Sequence, residues 1–201
     1  MFNRWLGKQL SNPKGMFSKW VGTYMAKGNQ QANQWTISLL QAAPEDCILE
    51  VGTGNGTAIH SILEKNKAIE NVYGIDISAS MVKEAMKLNE TFIRNNRAEI
   101  MIGSVESIPY ETESFTKVYT IHTVYFWPDI EKGLREIHRV LKPEGRVFMT
   151  FTLSDQLQQM NHTKNFSRYS PHDLERLLEK TGFSHVDINT QTPFCCISAE
   201  K

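Results

Sequence analysis

One acid, three alternate glycines and a second acid about twenty residues on are the groups in this chain best suited to chemistry: Glu50, Gly52, Gly54, Gly56 and Asp76. Glycines so spaced bring bare backbone against a ligand, because no Cβ holds it off. Thr53 and Asn55 stand between them, and a helical pattern opens at Thr57. A helix starting there aims unpaired N–H groups and a partial positive charge at the same point. Asp76 closes the run Val72-Tyr73-Gly74-Ile75, and a carboxylate ending a strand can accept both hydroxyls of a ribose. The spacing describes a nucleoside-binding half-domain.

Such a site needs parallel strands to hold it. Short apolar runs predict strands at 48–52, 71–76, 98–102, 118–123 and 146–152, with a final pair at 184–190 and 193–199. Helical spacing joins Ile59, Ile62 and Leu63. It also joins Met81, Val82 and Ala85 behind a Ser78 cap, and Ile130, Leu134, Ile137 and Leu141 behind an Asp129 cap. Lys142-Pro143-Glu144-Gly145 reads as a turn. Ser170-Pro171-His172-Asp173 carries the marks of a helix start, and Gly182 those of its end. Alternating strands and helices predict an α/β fold: a Rossmann-like, doubly wound, mostly parallel seven-stranded sheet with a C-terminal antiparallel hairpin and helices on both faces. Residues 16–40 read as one or two helices broken near Gly28, and 153–170 as a long connection of the kind that is often functional.

The 201 residues suit a single domain. Lysine plus arginine equals aspartate plus glutamate, so overall charge does not point to a nucleic acid. The distribution is uneven, because Arg4, Lys8, Lys14, Lys19 and Lys27 all precede the first acid, Glu45. Interleaved with Trp5, Phe17, Trp20, Tyr24 and Trp35, they make residues 1–44 a segment packed on the sheet edge, a lid over the site, or a helix lying on a membrane surface. Cys47, Cys195 and Cys196 are too few for a disulfide framework and fit a reducing, cytoplasmic setting. Adjacent cysteines in a strand point to opposite faces, so no metal site is expected. Neither a signal-like start nor an apolar run of the ~20 residues that span a bilayer is visible.

A glycine turn alone also suits dinucleotides, but the third glycine of G-x-G-x-x-G is replaced by Thr57. The ordered series resembles the class I S-adenosylmethionine-dependent methyltransferases, small-molecule type. Its landmarks are Glu50 before the glycine turn, Asp76 ending the second strand, Gly103-Ser104-Val105-Glu106, Ile108-Pro109-Tyr110, Ser114-Phe115, and Arg139-Val140-Leu141-Lys142-Pro143-Glu144-Gly145. The likeness runs from about Ala43 to Thr152. It implies S-adenosyl-L-methionine as cofactor, with the Gly52–Gly56 backbone approaching the methionine portion and Glu50, Thr53 and Asn55 among the cofactor-binding residues. It implies Asp76 on the ribose, Ile77 and Met81 on the adenine ring, and Ser104 and Val105 at the adenine edge. Ser104 departs from the acid many members carry there, and an uncharged acceptor is weaker.

Methyl transfer is an in-line displacement, so alignment and exclusion of water are the enzyme's main tasks. Tyr125, Phe126 and Trp127 follow strand four, where at least one is expected to line the acceptor pocket. His122 is the histidine placed to act as a base or as a polar contact to the cofactor, and Tyr125 is the second candidate reacting group. Tyr24 and His162 are remoter ones. The chain then divides into a lid (1–44), a cofactor-binding core (45–152), and an acceptor loop with the C-terminal helix and strands (153–201). A small-molecule methyltransferase is the leading reading. An NAD-dependent oxidoreductase and a non-catalytic S-adenosylmethionine-binding protein are the alternatives, and the acceptor and oligomeric state are not legible.

Overall fold

The computed structural model describes residues 18–69, 71–160, 163–164 and 166–201, with side chains described from Asn29 onward. Seven strands form one sheet: β1 (Cys47–Val51), β2 (Asn71–Asp76), β3 (Ala98–Ile102), β4 (Phe115–Ile121), β5 (Leu141–Thr152), β6 (Ser184–Gln191) and β7 (Phe194–Glu200). Their order is β3-β2-β1-β4-β5-β7-β6. Every pairing from β3 to β5 is parallel, and β7 runs antiparallel to both β5 and β6. The doubly wound sheet and its terminal hairpin match the expectation. Strand order reverses between β1 and β4, which opens a crevice at their carboxyl ends.

Helices cover both faces because the central strands are apolar on both. Leu49 and Val51 of β1 face the layer that holds α5 (Ile130–Val140) and α7 (Pro171–Lys180), through Leu134, Ile137, Leu174 and Leu178. Ile48 faces the opposite layer, built by α1 (Ser18–Leu40), α2 (Thr57–Lys65) and α3 (Ala79–Leu88) through Leu40, Ile59, Leu63 and Val82. Two short helices, α4 (Glu90–Arg94) and α6 (Ser154–Gln158), complete the set among the described residues. None of the described helices is long and apolar enough to cross a membrane.

Two of the three expected caps form, while Ser78 takes the N-cap position of α3 without a side-chain capping hydrogen bond. Asp129 accepts the Lys132 N–H at 3.0 Å, and Ser170 and Asp173 form a reciprocal capping box. Three boundaries differ. α1 runs unbroken through Gly28, since packing of its later turns on the sheet outweighs the ~1 kcal/mol cost of glycine. Leu141 leaves the helix and already pairs with Phe115, so Lys142–Gly145 becomes a bulge inside β5 with Glu144 at φ 63°. β4 starts at Phe115 and stops at Ile121, because His122 takes a left-handed φ of 58° and ends the ladder.

Candidate functional site

The crevice at the switch point is the candidate site, and the glycine turn is its floor. Gly52 and Gly54 take φ of 79° and 55°, values that L side chains adopt only under strain. The Gly52 and Thr53 N–H groups both donate to the Ile75 carbonyl, at 2.8 and 3.0 Å, which ties the turn to the end of β2. A Cβ on Gly52 would lie 2.3 Å from Thr123 Cγ2, whereas one on Gly54 would meet nothing within 4 Å. Gly54 therefore borders open cavity. Thr53 is buried in the hollow left by Gly74 and still reaches the cavity wall, as does Asn55, whose Oδ1 accepts the Thr57 hydroxyl at 2.5 Å.

Asp76 stands at the lip of this floor. Its Oδ2 accepts from Gly54 N and its Oδ1 from Ser78 N, both at 2.8 Å, so the carboxylate is held rigidly with lone pairs to spare. Burial raises its pKa, and those two N–H bonds pull it back. Glu50, 3% exposed, is different. Burial holds its carboxyl well above the usual range, against a lowering contact with Tyr119, and the negative charge of Asp76 adds to the rise. Glu50 Oε2 and the adjacent Tyr119 hydroxyl both lack a well-formed hydrogen bond. An orphaned buried acceptor beside an open cavity suits a ligand that brings a donor.

Ile77 and Met81 make the apolar wall beyond Asp76. Ile77 is 52% exposed, unusual for isoleucine, and it borders the cavity; Met81 lies beneath it at 2%. Ser104 and Val105 close that end. Ser104 Oγ accepts the Glu106 N–H at 3.2 Å, which occupies part of its accepting capacity and leaves its proton to donate. A flat apolar ring between Ile77 and Val105, hydroxyls at Asp76 and a charged tail over Gly54 are what these residues fit together. S-adenosyl-L-methionine meets that description.

At the other end the cavity is walled by His122, Phe126 and Trp127, with Thr123 and Pro128 between and beyond them. The His122 imidazole is pushed down to about 4 by burial, so it is neutral at physiological pH and does not titrate near neutrality as its position in sequence suggests. Its Nδ1 lies 3.3 Å from the Tyr125 hydroxyl. Tyr125 itself is set behind the wall: its oxygen accepts the Thr152 N–H, its ring stacks on Phe166 at 5.6 Å, and it does not border the cavity. Its observed contacts are those of a support for His122. Phe126 meets the edge of Phe166 at 4.6 Å, which docks the 153–170 connection onto the aromatic segment.

Gly56 also departs from expectation. A Cβ there would meet Asn89 Nδ2 at 2.6 Å and Ala85 Cβ at 2.8 Å, so this glycine permits α2 to pack against α3 and does not face the cavity. The other ten cofactor candidates named from sequence, Glu50, Gly52, Thr53, Gly54, Asn55, Asp76, Ile77, Met81, Ser104 and Val105, converge on one cavity together with His122. Sequence reasoning missed Asn29 and Asn33, which reach the cavity from one face of α1. Their i, i+4 spacing was the available signal. Tyr24 and His162 lie outside the described side chains.

Residues 49–149 match a family described as a methyltransferase domain. The chain is 32% identical over 168 residues to the uncharacterized methyltransferase YdaC of Bacillus subtilis, covering 84% of this chain and 88% of that one. Among solved structures, a complex of the Haloferax volcanii Trm112 methyltransferase activator with a putative methyltransferase is similar in fold. Its TM-score is 0.75 at 18% identity, over 93% of this chain and 98% of that chain. Phosphoethanolamine N-methyltransferase 2 of Haemonchus contortus, with S-adenosyl-L-methionine bound, gives a TM-score of 0.71 at 17% identity, over 85% of this chain and 52% of that chain.

Proposed function

The chain belongs to the class I S-adenosylmethionine-dependent methyltransferases, and we propose that it methylates a small-molecule acceptor seated against Phe126 and Trp127. The observation that carries this reading is the shape of the cavity's far end. It continues past the cofactor-holding residues to an aromatic wall and is bordered by Asn29 and Asn33 of α1, a concave and partly covered space. Ligand sites for small molecules are concave and mostly apolar, with a few placed polar groups.

When bound, S-adenosyl-L-methionine supplies an electrophilic methyl group on a positively charged sulfur. Asp76 and the Gly52–Gly54 backbone bind and orient, while Ile77, Met81 and Val105 give an apolar slot for the adenine. Phe126 and Trp127 exclude water and offer π faces that attract a cation. Neutral His122 offers a hydrogen bond and is a weak base, which favours an acceptor that attacks with its own lone pair. Residues 1–44 act as a lid and 153–170 as the acceptor loop in this reading. The free thiols, two of them buried, fit a cytoplasmic setting.

Size fractionation tests the proposal. Purified protein with S-adenosylmethionine is given a cell extract split into a small-molecule filtrate and a macromolecular retentate, and S-adenosylhomocysteine release is measured. Release with the filtrate is the expected outcome. Release with the retentate alone overturns the small-molecule acceptor, and tight cofactor binding without release from either fraction favours the non-catalytic alternative.

A further inference from the structure

From the aromatic wall a chain of hydroxyls, half-buried at Thr123 and buried at Thr120, runs back beneath the cavity. Trp127 Nε1 donates to Thr123 Oγ1 at 3.1 Å, Thr123 Oγ1 bonds Thr120 Oγ1, and Thr120 Oγ1 donates to the Val51 carbonyl at 2.8 Å. The two ends set its direction, since an indole nitrogen only donates and a carbonyl only accepts. Thr120 spends its one proton on Val51, so the Thr123 hydroxyl must donate to Thr120 while accepting from Trp127. Every polar atom of the relay is thereby satisfied in one arrangement.

The relay joins two parts of the site. Val51 directly precedes the glycine turn, and Thr123 Cγ2 occupies the space that a Gly52 side chain would fill. At the other end the indole is pressed between Gly133, where a Cβ would come within 3.0 Å of Trp127 Cε3, and the cavity. Sliding the ring would break the only hydrogen bond described for its N–H. Moving the turn would strain the same chain from the opposite side.

We propose that Thr123 is a positioning residue that locks the Trp127 indole into the acceptor wall and couples its placement to the cofactor-binding turn. The assignment of this wall to an acceptor rests on the methyltransferase reading; the lock itself does not. It is a property of the free protein and is testable without an acceptor.

The test uses the full chain labelled with 15N at tryptophan, with the Trp127 indole signal identified by its loss in Trp127→Phe. Thr123→Val removes the hydroxyl at nearly constant shape, and Thr123→Ser restores it. Hydrogen exchange of the Trp127 indole N–H is expected to quicken about fivefold in Thr123→Val, the factor one net hydrogen bond carries, and to return close to wild type in Thr123→Ser. S-adenosylhomocysteine is then added, with binding followed by calorimetry. The Trp127 signal is expected to move on binding in wild type and Thr123→Ser, and by less than half as much in Thr123→Val. Unchanged exchange in Thr123→Val, or no recovery in Thr123→Ser, overturns the lock. An equal ligand-induced shift in all three overturns the coupling. Absence of S-adenosylhomocysteine binding to the wild type would count against the cofactor assignment instead, while the exchange comparison still decides the lock.

Discussion

The two ends of the cavity are built on different plans. The end proposed for the adenosyl group is assembled from strand ends and the turns directly after them: Gly52–Asn55 after β1, Asp76–Met81 after β2, Ser104 and Val105 after β3. The polar group it offers a ligand is a carboxylate that two backbone N–H groups hold in place. The end proposed for the acceptor is made of side chains from distant segments, with Asn29 and Asn33 from α1, His122, Thr123, Phe126 and Trp127 after β4, and Phe166 supporting from the 153–170 connection. The first plan can be written in a few local residues, whereas the second requires the whole chain to have folded. A site of this kind keeps one ligand constant and leaves the other free to change.

The contrast can be attacked most directly at Asp76. Asp76→Ala removes the rigid acceptor from the adenosyl end and is expected to weaken S-adenosylhomocysteine binding about a hundredfold or more, as two charge-assisted hydrogen bonds at roughly 1.5–3 kcal/mol each would imply. Calorimetry showing near-normal affinity would refute the division. Next come the two glycines of the turn, which separate fold from binding. Gly52→Ala sets a Cβ 2.3 Å from Thr123 Cγ2 at a φ of 79°, so the thermal midpoint should fall sharply. Gly54→Ala carries only the left-handed backbone cost of roughly 1–2 kcal/mol, because its Cβ points into open cavity. It should fold while binding the cofactor poorly; the reverse pattern would mean that the cavity is misread.

The smallest effect concerns His122, at the acceptor end. In the fold its imidazole stays neutral down to about pH 4, whereas in the unfolded chain it protonates near 6.5. The unfolded state binds more protons between those values, so the contribution of His122 is complete above that window and is lost as pH falls through it. The loss amounts to at most roughly 3 kcal/mol. Urea unfolding at about pH 7 and about pH 5 should show less of this slope in His122→Asn than in wild type. An identical slope would place the histidine in contact with water.

Legibility follows the same divide. The sheet, its hairpin and the caps at Asp129 and Ser170 were readable because each rests on residues within a few positions of one another. The ten candidates that border the cavity lie in three such local segments. Gly56 was misplaced because its close neighbours, Ala85 and Asn89, come from a helix some thirty residues on. Tyr125 reads in sequence as a pocket residue, but Thr152 and Phe166 hold it behind the wall. The i, i+4 spacing of Asn29 and Asn33 marks a shared helix face but not what it meets, because an amide-rich face reads the same against water or a cavity.

By itself, the sequence determined the sheet and the glycine turn and acid at its strand ends, since strand, turn and helix signals act over a few residues and positive-φ glycines announce themselves. Only the tertiary structure decided which side chains border the cavity's aromatic end, how far burial suppresses the charge of His122, and which hydroxyls join Val51 to Trp127. Each of these depends on what packs against a residue from elsewhere in the chain, and local spacing does not encode such neighbours.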